Sequence, residues 1–224
     1  MNPATEKRGV FISVEGMDGS GKSVGAGYFT QCLRDLGMGL VATREIGGTP
    51  YGEKIRSMSL QKDHPIDPMS RLLAFLASRN QHIVEVIRPN IAKGISVVSD
   101  RYNDSTYVYQ GVIDNLILQY RELMATRSLS HLGMRSDVTV FFQVDPDVAF
   151  ERGIAREYLD NDQYKKNRDF AHKIAAAYES IYSGLTAAQR ANIFFIDGNQ
   201  TIEEVQVALK KTAKRIFDGY NCLY

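Results

Sequence analysis

Short, nearly continuous apolar runs punctuate the chain at residues 9–15, 39–43, 94–100, 138–144 and 193–197. Strands covered on both faces read this way, because neither side of the pleat meets water. Longer segments with helical spacing separate the runs. One covers residues 22 to about 36. Another starts at Asp67-Pro68, with an acidic N-cap and proline at the first helical position. Its residues Leu72, Leu73, Leu76, His82, Ile83 and Val86 are spaced to fit one buried face, and Pro89 predicts an end near Arg88. A polar, tyrosine-rich stretch follows the third strand and leads to a helix over about 114–128. Asp145-Pro146-Asp147 opens another helix, and Thr201-Ile202-Glu203-Glu204 is a capping box for the last. Strands alternating with helices predict an α/β fold: a five-stranded parallel sheet covered by helices on both faces. Crossovers should be right-handed, and ligands should gather at the carboxyl ends of the strands.

At the first of those ends stands Gly16-Met17-Asp18-Gly19-Ser20-Gly21-Lys22-Ser23, a complete G-x-x-x-x-G-K-[ST] phosphate-binding loop between strand and helix. Glycines let backbone N–H groups curl round a polyphosphate, and the helix N-terminus adds positive potential. Gly16, Asp18, Gly19, Ser20, Gly21, Lys22 and Ser23 are therefore the candidate nucleotide-binding residues. Lys22 reaches the outer phosphates, and the Ser23 hydroxyl is a candidate Mg²⁺ ligand. The loop sharpens the α/β class to a three-layer P-loop NTPase fold with Mg²⁺ as an expected cofactor, and by itself it leaves open which nucleotide binds and what accepts the phosphate.

Composition adds mainly exclusions. The 224 residues suit one domain, and the net charge of +1 makes no electrostatic case for nucleic-acid or membrane partners. No apolar run approaches a membrane span, and the polar first residues carry no signal-peptide pattern. A soluble, cytoplasmic protein is expected, with Cys32 and Cys222 as free thiols. The histidines, His64, His82, His131 and His172, are scattered and lack metal-ligand spacing.

The other strand ends carry polar groups. Arg44-Glu45-Ile46-Gly47-Gly48-Thr49-Pro50 follows strand two, and a guanidinium there suits a phosphate clamp, or else a tight turn with a surface Arg. Asp100-Arg101-Tyr102 ends strand three; an acid in that place commonly holds Mg²⁺, and Arg101 is placed to neutralise phosphate. Phe75 and Arg79, four apart on one helix, could stack on and hydrogen-bond a base; the competing reading puts Phe75 in the core. Arg152 and Arg156 are also four apart, in a charged segment reaching about Arg168. That stretch is read as a lid within about 145–170 that closes over polyphosphate, or as a solvated helix face.

Taken together, the chain resembles the thymidylate kinases, a family of nucleoside monophosphate kinases. The resemblance lies in residues 11–23, in Thr43-Arg44-Glu45-Ile46-Gly47-Gly48-Thr49-Pro50, in Leu72-Leu73-Ala74-Phe75-Leu76-Ala77-Ser78-Arg79, and in Asp100-Arg101-Tyr102 through Gly111. It implies an ATP:dTMP phosphotransferase acting as a homodimer. It also implies roles. Asp18 faces the acceptor; Arg44 and Arg101 hold its phosphate. Phe75 stacks on thymine and Arg79 hydrogen-bonds its carbonyl. Thr106 and Gln110 approach the base edge, Tyr109 crowds the sugar 2′ position, and Asp100 positions Mg²⁺. Some family members place a catalytic Arg in the phosphate loop. Here Gly19 and Ser20 stand there, which turns attention to Arg152 and Arg156 as the catalytic cations beside Lys22, Asp18 and Arg101.

The chain departs from the family at several points. Ile46 replaces the usual proline, and since a non-proline cis bond is costly, a trans turn is expected with Arg44 displaced. Val24-Gly25 replaces Thr-Gln after the loop, and Gly27 follows; two glycines weaken the first helix by roughly 1 kcal/mol each. Gln143 stands where an acid is common, and no glycine-rich run follows Gly111. Two alternatives stay open: a broader deoxynucleoside monophosphate kinase that accepts modified pyrimidines, and a catalytically weak nucleotide-binding protein on the same fold.

Overall fold

The computed structural model describes residues 8–61, 65–125, 134–155 and 167–222. Strands β1 (Phe11–Gly16), β2 (Leu40–Arg44), β3 (Ser96–Asp100), β4 (Val138–Gln143) and β5 (Ile193–Asp197) form one sheet in the order β2-β3-β1-β4-β5. Every pairing is parallel, with Val14 opposite Asp100 on one side and Val140 on the other. All five strands lie where the apolar runs predict them, within two residues at each end.

Side-chain alternation sorts the core into layers. Ile12 and Val14 of β1, Val98 of β3, and Val140 and Phe142 of β4 share one face. Helices α1 (Lys22–Asp35) and α10 (Ile202–Cys222) cover it with Phe29, Leu33, Leu209 and Ala213. On the opposite face Phe11 and Val97 pack under α3 (Pro68–His82), through Leu72 and Leu76. Phe141 packs there against α7 (Pro146–Ala155) and α8 (Arg168–Ser183), through Ala149, Ile174 and Tyr178. Helices on both faces bury the central strand completely; every residue of β1 is buried.

Start signals worked as their chemistry dictates. Asp67 accepts a hydrogen bond from Ser70 N at 3.0 Å and Pro68 opens α3. At α10 the capping box forms, with Thr201 N donating to Glu204 at 3.0 Å and Glu204 N to Thr201 at 3.3 Å.

The predicted stop before Pro89 is corrected. The helix runs on through a π-helical segment (Ile83–Ile87) into α4 (Arg88–Ala92). Proline lacks an N–H and crowds the carbonyl four residues back. The wider turn, in which Arg88 N bonds to Ile83 O, accommodates that change without ending the rod. The tyrosine-rich stretch is also helical: α5 (Asn103–Thr106) passes into a second π-helical segment (Tyr107–Ile113). The helix expected over 114–128 is described as α6 (Ile117–Ala125). Besides α4 and α5, three more helices among the described residues went unpredicted: α2 (Pro50–Ser59), α8 and the short α9 (Ala187–Arg190). Thr49-Pro50 is the start signal for α2, and Thr49 accepts from Gly52 N at 2.9 Å.

The two glycines of α1 have different reasons. A Cβ on Gly25 would overlap the buried Phe142 ring, whereas Gly27 faces open space. Gly27→Ala should therefore stabilise the protein by about 0.5–1 kcal/mol through helix propensity. Gly25→Ala should destabilise it by about 1–3 kcal/mol through overpacking. Urea unfolding of the two variants checks the opposite signs.

Candidate functional site

The loop between β1 and α1 has the backbone that a phosphate cradle needs. Gly16, Gly19 and Gly21 have φ of 148°, 83° and 84°. These conformations suit glycine and turn successive N–H groups inward. Gly21 is the N-cap of α1 and offers no side chain, so the first N–H groups of this 14-residue helix have no capping acceptor. Ser20 Oγ is buried and has no hydrogen-bond partner. A polyphosphate would satisfy both.

Two ion pairs flank the cradle. Lys22, 5 % exposed, pairs with Asp100 at the end of β3. Burial pulls the Lys22 ammonium below its ordinary pKa and Arg101 adds to this, while Asp100 opposes it. For Asp100, burial pushes upward, but Lys22, Arg101 and Ser23 together more than offset it and the carboxyl sits below its usual range. Ser23 also hydrogen-bonds Asp100. A hydroxyl and a carboxylate side by side are hard oxygen donors of the kind Mg²⁺ takes together with substrate phosphates. Among the described residues no cluster of three or more His, Cys, Asp or Glu side chains forms a larger metal site.

The second pair joins Arg101 to Asp18. Arg101 has φ 69°, a left-handed conformation unusual for a side-chain-bearing residue. Its guanidinium also donates to Ser105 Oγ at 3.1 Å and Gly16 O at 3.4 Å, and it lies 5.2 Å from the Tyr109 ring centroid. Tyr109 OH donates to Asp18 at 3.2 Å. Asp18, Arg101 and Tyr109 thus form one cluster beside the loop.

A carboxylate not singled out in the sequence holds this cluster from below. Glu15 is fully buried. It accepts from Tyr102 N at 2.8 Å, Ser105 Oγ at 2.6 Å and Ser105 N at 3.4 Å. It therefore caps α5 and fixes the turn that carries Arg101. Its pKa is pushed up to about 7, first by burial and then by the charge of Asp104. Folding then favours the protonated acid. The contribution is complete below about 4.5, the ordinary value, and is lost as pH rises through about 7. Urea unfolding between about pH 5.5 and 8 should show wild-type stability falling more steeply than that of Glu15→Gln.

The acceptor-side candidates line the neighbouring wall. Arg44 at the end of β2 bonds Glu53 at 2.7 Å, and Glu53 also accepts from Gly48 N at 3.0 Å. The Glu45–Ile46 peptide is cis, which corrects the trans turn expected there. A cavity of about 520 Å³ runs from Ser23 and Asp100 past Thr43 and Gly48 to Arg44 and Glu53. Phe75 is partly exposed and belongs to none of the three buried clusters, against the core reading. Arg79, four residues on, is 3 % exposed and donates to Thr106 Oγ1 at 2.7 Å. Thr106 and Gln110 are buried nearby on α5 and the π-helical segment. A larger cavity, about 800 Å³, opens between α6 and α8 and includes no residue of the loop.

Arg152 donates to Gly198 O at 2.6 Å, on the β5–α10 turn. A Cβ on Gly198 would press on Ser20 O, so this turn lies directly against the phosphate loop. Arg156, His64, His131 and the Cys222 side chain lie outside the described residues. Cys32 is a buried free thiol. His82 is buried in a hydrogen-bonded network and His172 bonds Asp147 at 3.0 Å. Among the described residues no helix is long and apolar enough to cross a membrane.

Comparison with known proteins decides what this cleft belongs to. The family model described as thymidylate kinase matches residues 14–209. The chain belongs to the thymidylate kinase family. The thymidylate kinase of Ectopseudomonas mendocina is 36 % identical over 199 residues, covering 88 % of this chain and 91 % of the relative. That of Mesoplasma florum is 36 % identical over 203 residues, covering 90 % and 93 %. That of Hahella chejuensis is 31 % identical over 204 residues, covering 91 % and 95 %. Membership makes the chain an ATP-using kinase of thymidylate.

Proposed function

We propose that the cleft around Lys22, Asp100, Asp18 and Arg101 transfers the γ-phosphate of ATP to the 5′-phosphate of dTMP, giving dTDP and ADP. The observation that carries this reading is the pairing of Asp18 with Arg101 beside the Lys22–Asp100 pair. One pair serves the donor phosphates, the other the acceptor, and the loop is common to both. Residues Gly16 to Ser23 cradle ATP, with Lys22 releasing Asp100 to reach the outer phosphates. Ser23 and Asp100 would hold Mg²⁺, which when bound neutralises charge on the bridging phosphates. Arg44 and Arg101 clamp the acceptor phosphate. Its oxygen attacks in line and needs no general base, being anionic near neutral pH.

Phe75 stacks on thymine and an Arg79 N–H meets its carbonyl, with Thr106 and Gln110 along the base edge. Tyr109, braced by Asp18, crowds the sugar 2′ position. Arg152 and Arg156 belong to a lid within about residues 145–170 of a single kinase domain and add positive charge during transfer. We further assign the protein to the cytoplasm and to a homodimer. Leu73 and Val84, which are 47 % and 53 % exposed on one rod of α3 and its extension, are available for such an interface.

The test is phosphoryl transfer from ATP with Mg²⁺ to a panel of monophosphates. Turnover of dTMP should exceed that of dCMP, dGMP and dUMP. Equal turnover of all four would replace this reading with a broad-specificity kinase.

A further inference from the structure

A network that the roles above leave unused joins the two arms of the acceptor site. Glu45 follows Arg44 in the β2–α2 turn and is 7 % exposed. Its Oε2 accepts from Arg79 Nε at 2.7 Å, and its Oε1 bonds His82 Nδ1 at 2.9 Å. His82 is fully buried, and its Nε2 bonds Thr43 Oγ1 at 2.8 Å. A carboxylate only accepts, so Nδ1 carries a proton, and Nε2 hydrogen-bonds the Thr43 hydroxyl. Thr43, His82, Glu45 and Arg79 therefore form one continuous hydrogen-bonded chain.

The rest of Arg79 is equally committed. Its two terminal nitrogens donate to Asn103 Oδ1 and Thr106 Oγ1, each at 2.7 Å, and its plane lies 4.8 Å from the Tyr102 ring centroid. Three of its five N–H groups are thus spent inside the protein, leaving at most two for a ligand. A free arginine could turn its fork toward many acceptors; in this one every nitrogen already donates within the protein, which fixes the guanidinium in one orientation. Buried ion pairs are poor stabilisers relative to apolar packing; what such a pair can supply is a fixed conformation of its members.

We propose that Glu45 is a positioning residue that aims Arg79 at the base, so that the site selects acceptors with a carbonyl at the pyrimidine 4-position over those with an amino group. This inference rests on the proposed contact between Arg79 and the base. A carbonyl accepts the remaining N–H, whereas an exocyclic amino group presents a donor to a donor and leaves both unpaired. A site built to hydrogen-bond one group discriminates strongly against an analogue that cannot. Glu45→Gln removes the charge and puts an amide N–H₂ against either Arg79 or His82, both of which must donate there.

The experiment measures kcat/KM for dTMP and for dCMP, and KM for ATP, in wild type, Glu45→Gln and Glu45→Asp. In Glu45→Gln the dTMP/dCMP ratio should fall by about tenfold or more, mainly through a higher KM for dTMP, with KM for ATP changed less than about threefold. Glu45→Asp keeps the charge and should retain part of the preference. A general structural role would lower both acceptors together; an unchanged ratio in a folded Glu45→Gln protein overturns the proposal. If Glu45→Gln does not fold, the ratio in Glu45→Asp and Thr43→Val decides in the same way. Wild type that does not prefer dTMP to dCMP would instead overturn the base contact of Arg79, and this inference with it.

Discussion

Lys22→Met is expected to lower kcat by on the order of 10²–10³, the usual loss when one preorganised cationic donor is removed from a transfer site. Lys22 is the first residue of α1, directly after the left-handed Gly21, so on the proposed reading the helix N-terminus and the ammonium would face the same phosphates. Its Nζ pairs with Asp100 across the base of the cleft, which keeps the long side chain extended along the loop. Methionine has similar length and would leave the packing of this 5 % exposed side chain intact. Substrate binding should suffer less than turnover, because charge on the transferring group is spread most widely in the transition state. Steady-state kinetics with ATP and dTMP, alongside a thermal melt, check both parts. A variant that keeps more than a tenth of wild-type kcat would remove Lys22 from the catalytic group.

The second large effect concerns Arg101, through an unusual pairing of backbone and side chain. Arg101→Ala and Arg101→Gly should each lower kcat/KM for dTMP by about a hundredfold or more, since the guanidinium is the only part that reaches Asp18 and the acceptor side. Their stabilities should differ. At φ 69° a Cβ is strained by roughly 1–2 kcal/mol, and glycine is not. The glycine variant should therefore be the more stable of the two by about 1 kcal/mol, while both are inactive. Urea midpoints of the two variants provide the check. Arginine at this strained position is consistent with function outweighing local backbone preference. The turn is held in place by Glu15, which takes up Tyr102 N and both donors of Ser105.

Much of the fold was legible along the chain. The five strands are parallel, and the inner ones, β1 and β3 above all, are buried on both faces, so their apolar runs stand out without periodicity analysis; the edge strands β2 and β5 are more exposed but keep short apolar runs of their own. Asp67-Pro68 and Thr201 to Glu204 marked helix starts because capping chemistry is local: the donors and acceptors lie within three residues. The errors have the opposite character. Pro89 reads as a stop, since local rules treat the missing N–H as terminal. The π-helical turn at Ile83–Ile87 lets the rod continue, held by Ile83 and Ile87 in the core. Asn103 to Ile113 reads as a polar tyrosine-rich loop, yet it is helical, because Val108 packs in the core and Glu15, far off in sequence, caps its start. Helix α8 carried a readable stripe at Ala171, Ile174, Tyr178 and Tyr182, masked by the charged stretch before it.

Residue type and short spacing suffice to mark the loop, the strand-end residues Arg44, Asp100 and Arg101, and the placing of Phe75 and Arg79 four apart on one helix face. The family resemblance attaches roles to them. How those groups are held emerges from the fold alone. Nothing local in the sequence gives the partners of Glu15, Glu45 and His82, although Glu45 stands in the polar run from Arg44 to Pro50 and His82 on the inner face of its helix. Their partners stand 34 to 90 residues away and meet only when β1, β2, α3 and α5 converge at the carboxyl edge of the sheet. Buried carboxylates must find donors when water is removed, and folding supplied those donors from the arms that carry Arg101 and Arg79.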